Sequence, residues 1–272
     1  MSIAEALADA ARRLSSVSDT PRLDAELLMA HALGISREAM LLALPRGPAP
    51  PAFAALIARR GAHEPVAYIV GHRAFWSIDL VVRPGVLIPR PDSETLIEAA
   101  IAHFGPSDPA RLLDLGTGSG ALLLAALAHW PRATGLGVDT SDAALAVAQE
   151  NADRLGLAER AEIRRGSWDA ASAGDFDLVL CNPPYIEEDA SLPPDVIDYE
   201  PAAALFAGAD GLDEYRRIAP ALRLAEGGIA CIEIGAGQGS AVRALFEAEG
   251  FLTQIIADLA GRDRCVAVRQ KE

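Results

Sequence analysis

At 272 residues, 51% of them hydrophobic and with a formal net charge of −14, the chain can bury a sizeable core or two and is too acidic for a phosphate backbone to be its main target. Its apolar runs are short and interrupted, so none reads as a membrane span, and the first residues carry Glu5 and Asp9 without a basic cluster, against a secretory leader. Cys181, Cys231 and Cys265 are scattered and His31, His63, His72, His103 and His129 form no pair at ligand spacing, so reduced buried thiols are expected and a metal site is not.

In chain order, the first patterns are helical: Ile3 to Leu14, Pro21 to Leu33 ended by Gly34, a helix capped by Ser36 and stopped by Pro45, and Ala52 to Arg60. Leu23, Leu27 and Ala30 recur at helical spacing, which suits a small bundle over residues 1–73. Arg59, Arg60, Arg73, Arg83 and Arg90 read as scattered surface charges, the alternative being a local basic face. Phe75 to Val82 alternates like a strand and ends at the turn signal Pro84-Gly85, so residues 74–90 read as a hairpin connector. Pro91, Asp92 and Glu94 suit the first turn of a helix; equally, Arg90 and Glu94 could edge a site.

From Arg111 onward strands and helices alternate. The strands are expected at 111–115, 134–139, 161–165, 176–181, 228–234, 252–258 and 265–269, a doubly wound α/β domain over residues 91–272. The connection Leu259 to Arg264 is too short for a crossover helix, so the last strand should run antiparallel in an otherwise parallel seven-stranded sheet. Ligands of such sheets lie across the carboxyl ends of the strands, where Gly116, Asp139, Trp168 and Asn182 all fall.

The run Asp114-Leu115-Gly116-Thr117-Gly118-Ser119-Gly120-Ala121 reads as a strand, a glycine turn and a helix start, a backbone that can approach a ligand closely. Gly116, Gly118 and Ala121 satisfy a dinucleotide fingerprint with Asp139 as the ribose acid, so a nicotinamide dehydrogenase is one reading. Asp114, placed to meet an amino acid end, and the segment after the fourth strand favour S-adenosylmethionine instead. A second such turn, Gly235 to Gly239, reads as structural.

That segment is Asn182-Pro183-Pro184-Tyr185. An amino group on an sp² carbon is a poor nucleophile and must be held by its protons. The Asn182 side-chain carbonyl and the Pro183 main-chain carbonyl offer two acceptors, and Tyr185 offers a stacking surface. Neither proline has an N–H, so the strand must end there. The following segment, Ile186 to Gly211, is rich in acids and prolines and reads as a wall for a peptide or as an acidic solvated loop.

An ordered set of motifs covering nearly the whole chain resembles the PrmC/HemK family of release factor glutamine methyltransferases. The matches are Asp24 to Leu28, Glu64 to Ile69 with Gly71, Leu87 to Glu94, the glycine turn, Asn182 to Tyr185, Tyr199-Glu200-Pro201, Leu205 to Gly208 with Asp210 to Leu212, and Glu233-Ile234-Gly235. The resemblance implies a Rossmann-like class I methyltransferase domain behind a substrate-recognising helical domain, in a cytoplasmic, monomeric enzyme that does not bind nucleic acid directly. It implies that S-adenosylmethionine donates a methyl group to the side-chain amide of the glutamine in the Gly-Gly-Gln loop of class-one peptide-chain release factors. By the same resemblance, Gly116, Thr117, Gly118, Ser119, Gly120, Asp139, Trp168 and Asn182 hold the cofactor, Asn182 to Tyr185 hold the substrate, and Asn182, Pro183 and Tyr185 carry catalysis. Ser167 departs from the family's frequent acidic residue before the aromatic, while Ser93 and Ser119 stand where threonines are frequent and keep the hydroxyl. A ribosomal-protein glutamine methyltransferase, a DNA or RNA adenine methyltransferase and a non-catalytic cofactor-binding module are the rival readings.

Overall fold

A computed structural model describes residues 1–43 and 47–271, so the expected helix stop at Pro45 lies outside the described residues. The chain forms two units, one of Met1–His72 with Leu192–Tyr199, the other of Arg73–Ser191 with Glu200–Glu272.

The first unit packs α1 (Ile3–Leu14), α2 (Pro21–Leu33), α3 (Arg37–Ala43), α4 (Phe53–Gly61) and the single turn α5 (Val66–Val70). Helix α1 opens with a capping box in which Ser2 and Glu5 satisfy each other's backbone N–H groups, and buries Ile3, Leu7, Ala10 and Leu14 along one stripe. Helix α2 meets expectation only in part: Ala30 faces the core as expected, together with Ala25, Leu28 and Met29, while Leu23 is 38% exposed. The face is turned by acids. Asp24 and Glu26 are both buried, Asp24 accepting from Arg60 Nε at 2.8 Å and Glu26 from Arg22 at 2.6 Å and Arg37 at 2.8 Å. Arg60 also reaches Asp195 at 3.5 Å, and the Tyr199 hydroxyl donates to the Ala62 carbonyl at 2.7 Å, so segment 192–199 is fastened to α4 and its C-terminal end. No described helix is long and apolar enough to cross a membrane.

The second unit begins at Arg73, inside the first strand of a hairpin of β1 (His72–Phe75) and β2 (Ile78–Val81). The chain reverses at Trp76-Ser77, with Trp76 at φ +53°, inside the run expected to be one strand, and the expected turn at Pro84-Gly85 follows, the Val86 N–H donating to the Arg83 carbonyl at 3.2 Å. Then follow α6 (Glu94–Phe104), β3 (Arg111–Leu115), α7 (Ala121–His129), β4 (Thr134–Asp139), α8 (Asp142–Arg154), β5 (Ala161–Arg165), β6 (Phe176–Cys181), α9 (Asp213–Ala221), β7 (Leu224–Glu233), α10 (Gly239–Ala248), β8 (Leu252–Ala257) and β9 (Asp263–Arg269). The seven-stranded sheet has the order β5-β4-β3-β6-β7-β9-β8, parallel except for β9, which pairs antiparallel with β7 and β8. Alternate residues of each strand feed opposite faces. Leu178 and Leu180 of β6 meet Leu96 and Ile97 of α6 and Leu123 and Leu127 of α7 on one side. Val179 and Cys181 meet Tyr215 and Ile218 of α9 and Val242 and Phe246 of α10 on the other. The three cysteines are free and buried in these layers.

Candidate active site

Strand register assembles the site. Leu115 of β3 pairs with Val138 of β4 and with Cys181 of β6, and Asp139 pairs with Arg165 of β5. The next residues along each strand, Gly116, Asn182 and Gly166-Ser167-Trp168, therefore arrive side by side with Asp139 at the carboxyl ends. The strand order also reverses across β3 and β6, the switch point where α/β sheets open a crevice. A cavity of about 300 Å³ lies there, within the size range of small-molecule sites.

Gly116, Thr117, Gly118, Ser119 and Asp139 line this cavity. Gly116 and Gly118 sit at φ +70° and +56°, left-handed backbone that suits glycine, and Gly120, at φ +83°, caps α7 behind the wall. The loop is fastened from β4. The Thr117 N–H donates to the Val138 carbonyl at 2.9 Å and the Gly118 N–H to Asp139 Oδ2 at 2.9 Å, while Asp139 Oδ1 accepts from the Ser141 N–H at 2.9 Å. Asp139 thus braces the glycine loop, a task its place in the sequence did not disclose. Trp168 lies over Gly116: a Cβ built there would stand 3.3 Å from the indole ring. The indole N–H donates to Glu214, which pairs with Arg217 at 2.9 Å. Both line the cavity beside Ser167, so a carboxylate from α9 stands near the position where the family often has its own acid.

Asp114 forms part of the same wall and is 1% exposed. Its Oδ2 accepts from the Thr117 hydroxyl at 2.7 Å and the Leu123 N–H at 3.3 Å, whereas Oδ1 is buried with no partner. Burial pushes this carboxyl up to about 7, the two hydrogen bonds acting in the opposite direction. An unpartnered carboxylate oxygen at a cavity wall suits an ammonium group, and a methionine moiety carries one.

Asn182 and Pro184 line the cavity; the side chains of Pro183 and Tyr185 lie outside its wall. The Asn182 Nδ2 donates to Ser93 Oγ at 3.1 Å. The Tyr185 hydroxyl donates to Glu233 Oε1 at 3.2 Å, and burial raises its pKa further above the ordinary range. Gln238, in the second glycine turn, donates to the Tyr185 carbonyl at 2.9 Å, so that turn braces the segment. Arg90 and Glu94 build the frame instead of the wall: Arg90 pairs with buried Glu200, which also accepts from the Ile88 N–H at 3.2 Å, and Glu94 accepts from the Trp76 N–H at 2.8 Å. Arg59 and Arg83 pair with Glu64 and Glu150 as surface charges, whereas Arg60, expected at the surface, is buried against Asp24. Of the long segment, Pro201, Ala203 and Ala204 line the cavity, whereas Glu187, Glu188 and Asp189 are exposed. Among the described residues no group of three His, Cys, Asp or Glu is placed to hold a metal ion.

Residues 5–71 match the PrmC N-terminal domain and residues 92–198 the methyltransferase small domain. The chain is 48% identical to the release factor glutamine methyltransferase of Rhodospirillum rubrum over 93% of its length and 80% of that protein's. It is 47% identical to that of Cereibacter sphaeroides over 99% of both chains, and 42% identical to that of Moorella thermoacetica over the full length of both. Among solved structures, a methyltransferase from Pyrococcus furiosus superposes with a TM-score of 0.52 at 15% identity, covering 72% of this chain and 89% of that one. A Thermus thermophilus 16S rRNA N2 G1207 methyltransferase, solved with AdoMet and guanosine, gives 0.52 at 20% identity over 74% of this chain and 50% of that one. These two likenesses concern the fold alone.

Proposed function

The chain belongs to the release factor glutamine methyltransferase family, and on that premise we propose that it methylates the side-chain amide nitrogen of the glutamine in the Gly-Gly-Gln motif of class-one release factors. The observation that carries this reading is the meeting of Asp114, the glycine loop and Asn182 on one cavity wall. Bound there, S-adenosylmethionine supplies an electrophilic sulfonium methyl. The free oxygen of Asp114 takes the cofactor's ammonium, Gly116 to Ser119 form the close-lying backbone with Gly120 closing the turn behind them, and Asp139 and Trp168 hold the nucleoside end.

The rest of the chemistry belongs to Asn182, Pro183 and Tyr185. The Asn182 side-chain carbonyl and the Pro183 main-chain carbonyl accept the two N–H groups of the substrate amide, which aims its nitrogen lone pair and favours the charge that develops on it. Tyr185, with its hydroxyl on Glu233, packs beside the flat amide. No general base is required, since the proton leaves to water once the nitrogen has become tetrahedral. The helical unit, Met1–His72 with Leu192–Tyr199, serves to recognise the release factor. The enzyme works on protein in the cytoplasm, as a monomer and without a metal.

The test is mass spectrometry of purified release factor after incubation with this protein and methyl-labelled S-adenosylmethionine, with the glutamine of Gly-Gly-Gln changed to alanine as control. One methyl on that glutamine, absent from the control, is the expected result. Label on a ribosomal protein or on nucleic-acid adenine would refute the reading.

A further inference from the structure

After β5 the chain carries Gly166, Ser167 and Trp168 along one side of the cavity, and α9 brings Glu214 and Arg217 to the same side. A carboxylate sheltered beside an aromatic ring needs donors to hold it. The Trp168 indole N–H donates to Glu214 Oε2, and Arg217 Nη1 donates to Oε2 at 2.9 Å and to Oε1 at 3.2 Å. The Glu214 side chain is thereby pinned by two partners and is only 18% exposed.

Counting lone pairs shows what is left over. A carboxylate offers about four acceptor positions and no donor. Two of the three contacts fall on Oε2, while Oε1 receives only the longer one from Arg217, so Oε1 has room for a further donor. An indole N–H points outward in the plane of its ring, which puts Glu214 at the rim of Trp168, where it borders the edge of a flat ligand laid on that ring. The ligand that suits this wall is an aromatic base with an N–H on its edge. Adenine joined to ribose carries its N–H bonds on the exocyclic amino group alone, so that group is what an acceptor-only side chain can hydrogen-bond.

We propose that Glu214 determines specificity for the base of the cofactor, its Oε1 accepting from the adenine amino group while Trp168 and Arg217 aim the carboxylate. The inference rests on the reading of this cavity as the S-adenosylmethionine site with the nucleoside at Trp168. It gives the recognition of the base to α9 and not to Ser167, which lines the same wall.

The experiment is calorimetric titration of the full chain with S-adenosylhomocysteine and with S-inosylhomocysteine, in which a carbonyl replaces the amino group. Wild type, Glu214→Gln, Glu214→Ala and Ser167→Ala are compared, with thermal unfolding of each. A wild type that binds neither ligand would overturn the cofactor reading itself, and this inference with it. Otherwise wild type should prefer the adenine ligand at least about tenfold, the scale of one charge-assisted hydrogen bond. In Glu214→Gln, Trp168 and Arg217 claim the amide oxygen and turn the NH₂ toward the base, so the preference should fall at least about fivefold. Glu214→Ala removes the acceptor and should lose the preference likewise, whereas Ser167→Ala should keep it within about twofold. The proposal is overturned if wild type falls short of that preference or if Ser167→Ala abolishes it. It is equally overturned if both Glu214 variants keep the preference while losing affinity for the two ligands alike, which would make Glu214 a support for Trp168 and no more.

Discussion

Replacing Asp114 by asparagine should stabilise the protein without ligand and weaken its hold on the cofactor. The carboxyl is fully buried and its pKa is raised from 3.8 to about 7 by desolvation. Because the folded value is the higher one, the native state binds a proton that the unfolded chain lacks between about pH 4 and 7. Stability contributed by this group is therefore complete below pH 4, falls as pH rises through 7, and is flat above. The shift of roughly three units, at 1.36 kcal/mol each, sets an upper bound of about 4 kcal/mol on what ionised Asp114 costs the fold at pH 8. Asparagine carries no charge, and its carbonyl can accept from the Thr117 hydroxyl and the Leu123 N–H in place of Oδ2. Thermal unfolding at pH 8 should thus show the Asp114→Asn variant melting several degrees above wild type, at roughly 2–4 °C per kcal/mol for a protein of this size. At pH 4.5 the gap should nearly close. Glu233 titrates in the same range but is present in both proteins, so their difference isolates Asp114. Calorimetry at pH 8 should find S-adenosylhomocysteine bound at least about tenfold more weakly, the ammonium having lost its counter-charge. A variant that melts below wild type at pH 8, or that gains equally at both pH values, would refute the desolvation argument.

Asn182→Ala should cost turnover about a hundredfold or more while S-adenosylhomocysteine affinity, read by calorimetry, stays within about threefold; equal losses would mean that Asn182 mainly holds cofactor or fold. Gly120→Ala forces a side chain onto φ +83° with its Cβ 2.8 Å from Leu124 Cδ1, and urea unfolding should show a loss of about 1–3 kcal/mol. Arg60→Met strands the buried Asp24 carboxylate and should destabilise the helical unit by about 3–5 kcal/mol; Asp24→Asn in the same chain should recover some of that loss in denaturant titrations. Trp168→Ala removes the ring that covers Gly116 and should weaken S-adenosylhomocysteine binding in the same calorimetric assay.

Much of this architecture is legible because it is written locally. The apolar strand runs at 111–115, 134–139, 161–165 and 176–181 are bounded by glycine, proline or capping residues, and the structure ends those strands at the same places. The short link before β9 dictated its reversed direction. What escaped is what depends on partners far along the chain. Val66 to Val70, rich in β-branched residues, gave no helical signal, yet Pro65 and left-handed Gly71 close it into a single turn. The hairpin turn at Trp76-Ser77 carries neither glycine nor proline, and its flanking Glu94 contact spans 18 residues. On the site, Asn182 and the glycine loop are motifs, whereas Ser93 and Glu214 reach the cavity by folding, 89 and 46 residues from the side chains they contact. The burial of Asp24 is likewise invisible until Arg60 is brought to it across 36 residues.

The membership of Leu192–Tyr199 in the helical unit bears on how this protein can be divided. The methyltransferase stretch recognised in the sequence runs unbroken through that segment to residue 198, as though a single cut near residue 72 would separate the modules. In the fold, the backbone leaves the catalytic unit after Ser191 and rejoins it at Glu200, having been gripped by Arg60 and the Ala62 carbonyl on the way. A fragment starting at Arg73 keeps every residue of this excursion and loses both Arg60 and the Ala62 carbonyl. Domain swaps between homologues must therefore exchange residues 1–72 and 192–199 together, as a pair of chain segments, if the transplanted unit is to keep its own contacts.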